Sequence, residues 1–176
     1  VTENGMQAPV CSFDDYLAKA KQLNQKLLIE IKTTKQDSPD LVDRFIEKYR
    51  NIILKEEHII QTLTFNTATE LKEKEPNFYV GYILPFNIVG PPVANVDFFT
   101  MEYTTLNRNF VNAAHNDGKK VYAWTANDED TMTRMMFYGV DGIITDKLKL
   151  LNETIRTDVD ELTYSDKLLH FVIGIG

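Results

Sequence analysis

Leu-Leu-Ile-Glu-Ile-Lys, residues Leu27 to Lys32, is an apolar stretch that ends in two charged residues. Its aliphatic residues predict a β-strand that is buried on both faces. Side chains alternate between the faces of a strand, so Glu30 and Lys32 should point the same way, with Ile31 opposite. An acid beside a base at the carboxyl end of a buried strand is typical of the catalytic edge of an α/β barrel. An ion pair that merely neutralises itself at this edge is an equally reasonable interpretation.

The composition indicates a globular protein and argues against a nucleic-acid partner. The chain has 176 residues, of which 43% are hydrophobic and 26% charged, and this suits one domain with a substantial core. The net charge is -7, from 26 acidic and 19 basic residues. A phosphate backbone is bound by clustered Lys and Arg, and this sequence has no such cluster.

The single cysteine and the apolar runs exclude other classes of protein. Cys11 alone cannot form an intrachain disulfide framework or a multi-cysteine zinc site. The last apolar run, Leu168 to Gly176, is shorter than the roughly 20 residues that cross a bilayer. The sequence begins at Val1 without a signal-peptide pattern, so we expect that it was cut from a longer protein. A membrane-associated or a cytoplasmic location fits these observations.

Predicted strands alternate with predicted helices or loops along most of the chain. Strands are predicted at 27–32, 58–63, 78–84, 96–101, 120–124 and 141–144. Helices are predicted after Ser12, which is a capping residue with Asp15 in the capping box, and at 41–49, 67–75, 106–116, 128–138 and 147–155. Val1 to Pro9 and the proline-rich Pro85 to Asn95 are predicted loops. We expect a domain over 1–155 and a C-terminal tail over 156–176.

This alternation predicts an α/β fold with parallel strands and crossover helices. A complete (β/α)8 barrel needs eight strands and about 250 residues, whereas six strands are predicted in this chain. We therefore expect the later part of a (β/α)8 TIM-type barrel, with the N-terminal half-barrel missing. An open doubly wound sheet is the competing fold, but no glycine-rich phosphate loop follows any predicted strand.

Several polar and aromatic residues fall at the predicted strand ends, where parallel strands share one edge of a sheet. They are Glu30, Lys32, Thr64, Phe65, Glu102, Tyr103, Trp124, Thr125, Thr145 and Asp146. Asp146 is expected to cap the last helix, and Glu102 is expected to be exposed. Trp124 is either a core residue or part of a ligand pocket. No histidine falls at the carboxyl end of a predicted strand.

Three motifs in this order resemble the glycerophosphodiester phosphodiesterase family. Leu28 to Lys32 is similar to that family's central Ile-Glu-Ile-Lys motif. Val121 to Asn127, Val-Tyr-Ala-Trp-Thr-Ala-Asn, and Gly139 to Asp146, Gly-Val-Asp-Gly-Ile-Ile-Thr-Asp, resemble its closing pair of strands. Ala8 to Leu17 resembles the proline and helix that lead into the Glu-Lys strand.

The resemblance implies a barrel hydrolase and assigns roles to residues of this sequence. Such enzymes hydrolyse glycerophosphodiesters to glycerol 3-phosphate and an alcohol, with a divalent cation, calcium or magnesium, and two histidines. Glu30 matches a metal-ligand carboxylate, Lys32 a side chain that contacts the substrate phosphate, and Trp124 an aromatic beside the glycerol end. These residue types suit the chemistry, because hard cations prefer carboxylate oxygens and a phosphodiester anion is stabilised by a fixed positive charge.

The chain departs from the family pattern in its first residues. The family's His-Arg-Gly strand, its Glu-x-Asp metal ligands and its second histidine precede the Glu-Lys strand, and nothing between Val1 and Leu27 matches them. We therefore expect this chain to be inactive in isolation. An incomplete barrel exposes a sheet edge, so we also expect a homo-oligomer that covers it. Membrane attachment through missing N-terminal segments is a further expectation.

Two other functions are compatible with the sequence. One is a non-catalytic barrel module that binds phosphate or a metal after losing its histidines. The other is a different phosphate-handling barrel, such as a relative of the phosphoinositide-type phospholipases. The loop from Pro85 to Asn95 is expected to shape the entry of the substrate head group, because it leaves a strand at the catalytic edge.

Overall fold

A computed structural model describes residues 10–87 and 89–157 and, for their backbone, residues 2–3 and 6–7. The chain forms two compact units, Val1–Val80 and Gly81–Gly176. Residues 158–176, which include most of the predicted tail and His170, lie outside the described residues. Among the described helices, none is long and apolar enough to cross a bilayer.

The first unit contains a short antiparallel strand pair followed by alternating helices and parallel strands. Its described elements are β1 (Thr2–Glu3), β2 (Met6–Gln7), α1 (Phe13–Gln22), β3 (Leu28–Glu30), α2 (Leu41–Lys55), β4 (Ile59–Thr62) and α3 (Phe65–Lys74). The predicted loop over the first nine residues was wrong at β1 and β2, which pair in an antiparallel register. Strands of two residues are too short to show the apolar alternation by which a strand is recognised.

Helix α1 begins where the sequence places its cap. The Ser12 hydroxyl oxygen accepts a hydrogen bond from the backbone N–H of Asp15 at 3.1 Å, and it donates to the Asp15 carboxylate at 2.6 Å. Leu17 and Ala20 are the buried residues of this helix. The cap and this apolar stripe direct the chain into β3.

Strand β3 is shorter and more exposed than its sequence predicts. It covers Leu28–Glu30, so Lys32 lies beyond its end, and it runs parallel to β4 with Leu28 opposite Ile59. Ile29 is 8% exposed, but Leu28 is 37% exposed. The prediction of a strand buried on both faces was therefore wrong. Among the described residues β3 has a strand on one edge only, and Leu28 lies on its less buried face.

The second unit is a parallel sheet in chain order. Its described elements are β5 (Val80–Leu84), which starts at the last residue of the first unit, β6 (Phe98–Glu102), α4 (Arg108–Asn116), β7 (Lys120–Trp124), α5 (Glu129–Tyr138), β8 (Gly142–Ile143) and a helix α6 over 148–157. Strands β5, β6, β7 and β8 are neighbours in that order, and each pair is parallel. The predicted α/β fold with parallel strands is confirmed. A loop connects β5 to β6, as the prolines predict.

Aromatic residues and methionines hold the helices of the second unit against its sheet. Phe99 and Phe110 meet edge to face, with ring centroids 5.9 Å apart. Met132 and Met135 of α5 are fully buried. This packing fixes the strands, so the residues at their carboxyl ends are held on a rigid frame.

Candidate functional site

Glu30 and Lys32 lie close together at the carboxyl end of β3, as the sequence predicts. The Lys32 Nζ atom is 3.8 Å from the Glu30 Oε1 atom. The Glu30 side chain is 33% exposed and the Lys32 side chain 78% exposed. Because water screens the pair, it contributes little to stability, and the ammonium group remains accessible to a ligand anion.

Two threonines beside this pair connect the ends of β3 and β4, and sequence reasoning missed one of them. The hydroxyl oxygens of Thr33 and Thr64 are 2.7 Å apart. Thr64 occupies the N-cap of α3, but its hydroxyl makes no capping hydrogen bond there. A hydroxyl directly after Lys32 was the available signal for Thr33. The pair fixes the loop that carries Lys32 to the neighbouring strand.

An open cleft of about 560 Å³ runs along β3. Phe13, Tyr16 and Phe45 form an aromatic wall, and Leu28 and Glu30 contribute from the strand. The cleft therefore combines apolar side chains with two charged ones, Lys26 and Glu30. It offers contact area to an apolar group, and Glu30 offers an oxygen ligand.

Trp124 belongs to the second unit, where it ends β7. Its indole N–H donates a hydrogen bond to the backbone oxygen of Thr100 at 3.2 Å, and its own backbone oxygen accepts one from Tyr103 N–H at 3.0 Å. The side chain is half-buried. The indole nitrogen is thus already paired, so the ring can offer a ligand its face but no hydrogen bond.

Glu102 lies directly opposite Trp124, at the carboxyl end of β6. Its carboxylate accepts a hydrogen bond from Thr104 N–H at 2.9 Å and another from the Thr104 hydroxyl. The residue is half-buried rather than exposed. These bonds order the loop that follows β6 and occupy one of the two carboxylate oxygens.

Asn127 connects the loops that follow β7 and β8, a role that sequence reasoning missed. Its side-chain oxygen accepts hydrogen bonds from the Thr145 hydroxyl and from Asp146 N–H, each at 2.9 Å. Its amide nitrogen donates to the Asp146 carboxylate at 2.9 Å. The predicted cap at Asp146 was wrong, because α6 begins at 148 and the carboxylate faces Asn127 instead.

Neither described histidine lies at the carboxyl end of a strand. His58 precedes β4, is 3% exposed, and accepts a hydrogen bond at Nδ1 from Leu27 N–H. Burial holds the pKa of His58 below its ordinary value of 6.5, so the ring is neutral at pH 7. His115 lies in the last turn of α4, and its Nε2 atom is 2.8 Å from a carboxylate oxygen of Asp141, which precedes β8. Both rings support structure at the opposite ends of the strands.

The described residues do not form a complete metal site by themselves. In residues 10–87 and 89–157, no three His, Cys, Asp or Glu side chains are grouped closely enough to hold an ion. Glu30 is a single carboxylate with a cation beside it. Calcium takes about six to eight oxygen ligands, and Glu30 can supply one of them.

Comparison with known proteins relates this architecture to one family. The model of the glycerophosphoryl diester phosphodiesterase family matches residues 1–150. A glycerophosphodiester phosphodiesterase of Caldanaerobacter subterraneus subsp. tengcongensis is 25% identical over 132 residues, which cover 73% of this chain and 54% of the relative. The chain thus spans about half the length of that curated relative.

Solved structures of phosphodiesterases share the fold of this chain. A glycerophosphodiester phosphodiesterase from Parabacteroides distasonis superposes with a TM-score of 0.68 at 19% identity, covering 83% of this chain and 64% of that chain. A phosphodiesterase from Oleispira antarctica, solved in complex with the product sn-glycerol-3-phosphate, superposes with a TM-score of 0.65 at 16% identity, covering 82% and 60%. These likenesses show the fold, and they confirm the predicted relation to TIM-type barrels.

Proposed function

This chain belongs to the glycerophosphoryl diester phosphodiesterase family, and on that basis we propose that it contributes to a site that hydrolyses glycerophosphodiesters to glycerol 3-phosphate and an alcohol. The observation that carries the proposal is the Glu30–Lys32 pair at the end of β3. It combines an oxygen ligand for a cation with a positive charge for a phosphate. Phosphodiester hydrolysis needs both, because negative charge increases on the phosphate oxygens in the transition state.

Lys32 is the proposed contact to the substrate phosphate. Its side chain is 78% exposed, so phosphate can approach it without displacing a buried partner. The neighbouring Glu30 carboxylate keeps the flexible lysine near the strand end. The Thr33–Thr64 bond holds the same loop in place.

Glu30 is the proposed ligand to a divalent cation, calcium or magnesium. The family is generally dependent on such a cation, which would polarise the phosphate and lower the pKa of a bound water. Its other ligands would come from outside the described residues. Trp124 is proposed to line the glycerol end of the substrate with its ring face, since its indole N–H is bonded to Thr100.

We expect the 176-residue chain to release no glycerol 3-phosphate by itself. Its described histidines are His58, which precedes β4, and His115, in the last turn of α4, and neither lies at the carboxyl end of a strand. The acid and base groups would therefore come from outside the described residues. The measurement is product release from glycerophosphocholine with calcium or magnesium, by this chain and by a longer polypeptide that adds a His-Arg-Gly strand. Activity of the shorter chain would contradict the proposed division of the site.

Replacing Lys32 with alanine is expected to weaken binding of sn-glycerol 3-phosphate about tenfold, as for the loss of one exposed charge contact. The measurement is a titration of the chain followed by backbone amide NMR shifts. Lys35→Ala is the matched control, because Lys35 lies in the same exposed loop and makes no ion pair with Glu30 in the part of the chain that is described. Equal losses of affinity in the two variants would show that Lys32 acts only through general electrostatic attraction.

A non-catalytic module that binds phosphate or a metal is the second candidate function. The placement of His58 and His115 away from the carboxyl ends of the strands favours it. In that case the longer polypeptide would bind glycerol 3-phosphate yet turn over neither glycerophosphocholine nor phosphoinositides. Turnover of phosphoinositides alone would point to the phospholipase alternative.

The open edge of β3 is the proposed site of homo-oligomer contact. Alternate residues of a parallel strand bond to the same neighbour, so Leu28 and Glu30 direct their backbone groups away from β4. An unpaired edge of this kind is a template for another strand. Sedimentation is expected to show association that increases with concentration, and a monodisperse monomer would contradict it. Membrane attachment and a membrane-associated or cytoplasmic location stay predictions.

A further inference from the structure

The loop between β5 and β6 exposes three large apolar side chains. Phe86 is 56% exposed, and Val89 and Val93 are each 95% exposed. We call the described residues 85–87 and 89–95 the apolar loop. Exposing apolar side chains this fully is unfavourable in water, and three of them on one short loop indicate an interaction surface.

The base of the apolar loop is held in place by hydrogen bonds. Asn87 N–H donates to the Thr105 hydroxyl oxygen at 2.8 Å, and the Asn87 side-chain oxygen accepts from Gly90 N–H at 2.8 Å. Prolines at 85, 91 and 92 further restrict the backbone. The apolar side chains are therefore presented on an ordered base, which lowers the entropy cost of binding.

The sequence of this segment contains no charge. From Pro85 to Val96 there is no Asp, Glu, Lys or Arg, although 26% of the whole chain is charged. Uncharged segments of this length enter an apolar medium without the large cost of desolvating an ion.

The shape of the apolar loop favours a lipid surface over a protein partner. A stable protein interface buries about 800 Å² on each partner and needs a packed, complementary patch. Val89 and Val93 are almost free of contacts with the rest of the chain. Separate projecting side chains lack such a patch, whereas a fluid lipid surface accepts them without shape complementarity.

The position of the apolar loop relates it to the proposed site. It leaves the carboxyl end of β5, and Glu102 and Trp124 end the next two strands of the same parallel sheet. Insertion of the loop would therefore bring this edge of the second unit close to lipid head groups. The link to lipid-derived substrates rests on the proposed function, but binding to the lipid surface does not.

We infer that the apolar loop inserts Phe86, Val89 and Val93 into the surface of a zwitterionic phospholipid bilayer. The net charge of -7 disfavours an anionic surface, and the loop has no cation to attract one. Binding should therefore depend on apolar insertion and should change little with salt.

The test is flotation of the full 176-residue chain with phosphatidylcholine vesicles, which reports binding without any need for activity. The chain is expected to float with the vesicles. The triple variant Phe86→Ser, Val89→Ser, Val93→Ser is expected to bind the vesicles at least about tenfold more weakly, because it has lost the apolar side chains that insert. Failure of the unchanged chain to float would overturn the inference.

A matched triple variant controls for the general loss of apolar surface. Val10→Ser, Phe137→Ser and Leu148→Ser remove side chains that are 79%, 56% and 65% exposed and lie outside the loop. This variant is expected to float like the unchanged chain. An equal loss of vesicle binding in both triple variants would overturn the inference. So would a loop variant that floats like the unchanged chain but sediments differently in the absence of lipid.

A single substitution provides a second measurement that does not remove the apolar side chain. In Phe86→Trp, the added tryptophan emission is expected to be quenched by lipids with brominated chains. Phe137→Trp is the control, because Phe137 has the same 56% exposure and lies on α5. Absence of extra quenching in Phe86→Trp would place the loop outside the bilayer and refute the inference.

Discussion

Replacing Gly81 with alanine is expected to destabilise the chain by about 3 kcal/mol or more, at the upper end of the range for overpacked cores. Gly81 lies opposite Phe98 in the parallel register of β5 and β6. An added Cβ atom would lie 2.0 Å from Cε2 and 2.3 Å from Cζ of the Phe98 ring. That ring is fully buried and packs against Tyr122 with centroids 4.9 Å apart, so it cannot withdraw.

The measurement for Gly81→Ala is thermal or denaturant unfolding. At about 2–4 °C per kcal/mol for a chain of this size, the melting temperature should fall by about 6–12 °C. Gly142→Ala is the comparison variant, because its Cβ would meet Tyr122 Cδ1 at 3.0 Å, which a small shift can relieve. Gly142→Ala should lower the melting temperature clearly less than Gly81→Ala does.

A double-mutant cycle with Phe98→Leu tests the stated cause. Removing part of the ring gives the new methyl group room, so Gly81→Ala should cost less in the Phe98→Leu background. If the losses of unfolding free energy in the two single variants sum to that of the double variant within about 0.5 kcal/mol, the clash with Phe98 is not the reason for the loss.

Replacing Arg50 with alanine is expected to lower the free energy of unfolding by about 2 kcal/mol at pH 7. This is less than the loss on breaking a fully buried ion pair, because the arginine is partly exposed. Arg50 Nε donates to the carboxylate of Glu75, whose side chain is 7% exposed. Asn77 donates to the same carboxylate from its backbone N–H at 3.2 Å and from its side chain at 3.0 Å. Without the guanidinium, a nearly buried anion would keep only these neutral donors.

The cost of Arg50→Ala should depend on pH. The hydrogen bond from Arg50 holds the pKa of Glu75 below its ordinary value of 4.5, against the opposing effect of burial. Because the folded-state pKa is depressed, the stabilisation is complete above the unfolded value and is lost as pH falls through the folded value. The difference in unfolding free energy between the two proteins should therefore shrink as the pH falls below 4.5.

Lys48→Ala is the control for Arg50→Ala, because both residues lie on α2 and carry one positive charge. The Lys48 and Asp14 side chains are each 58% exposed, so water screens their contact. Unfolding of this variant should be close to that of the unchanged chain at every pH. A loss as large as that of Arg50→Ala would mean that burial of Glu75 does not determine the effect.

Features set by neighbouring residues were predictable. The strand over Lys120–Trp124 has the predicted bounds, since Asp117-Gly118 ends the preceding helix and Gly118 adopts a positive φ of 71°. The cap at Ser12 likewise depends on Asp15, three residues away. A turn or a cap needs only adjacent chain, so a local pattern is sufficient to indicate it.

Features that join distant residues were not predictable. Thr33 and Thr64 are 31 positions apart, Arg50 and Glu75 are 25 apart, and the indole of Trp124 bonds to a backbone oxygen 24 positions earlier. The exposure of Leu28 also depends on which strands flank β3, and its own aliphatic sequence indicates the opposite. Each of these facts requires knowledge of which strands become neighbours.

The sequence by itself determined the order of strands and helices, the family resemblance, and the closeness of Glu30 to Lys32, because alternation along one strand puts residues two apart on the same face. Only the tertiary structure decided that Leu28 lies on the less buried face of β3, that the nitrogen of Trp124 is already paired, and that His58 is buried and neutral. The physical reason is that burial and hydrogen-bond partners are supplied by segments far away in the chain, which local patterns do not encode.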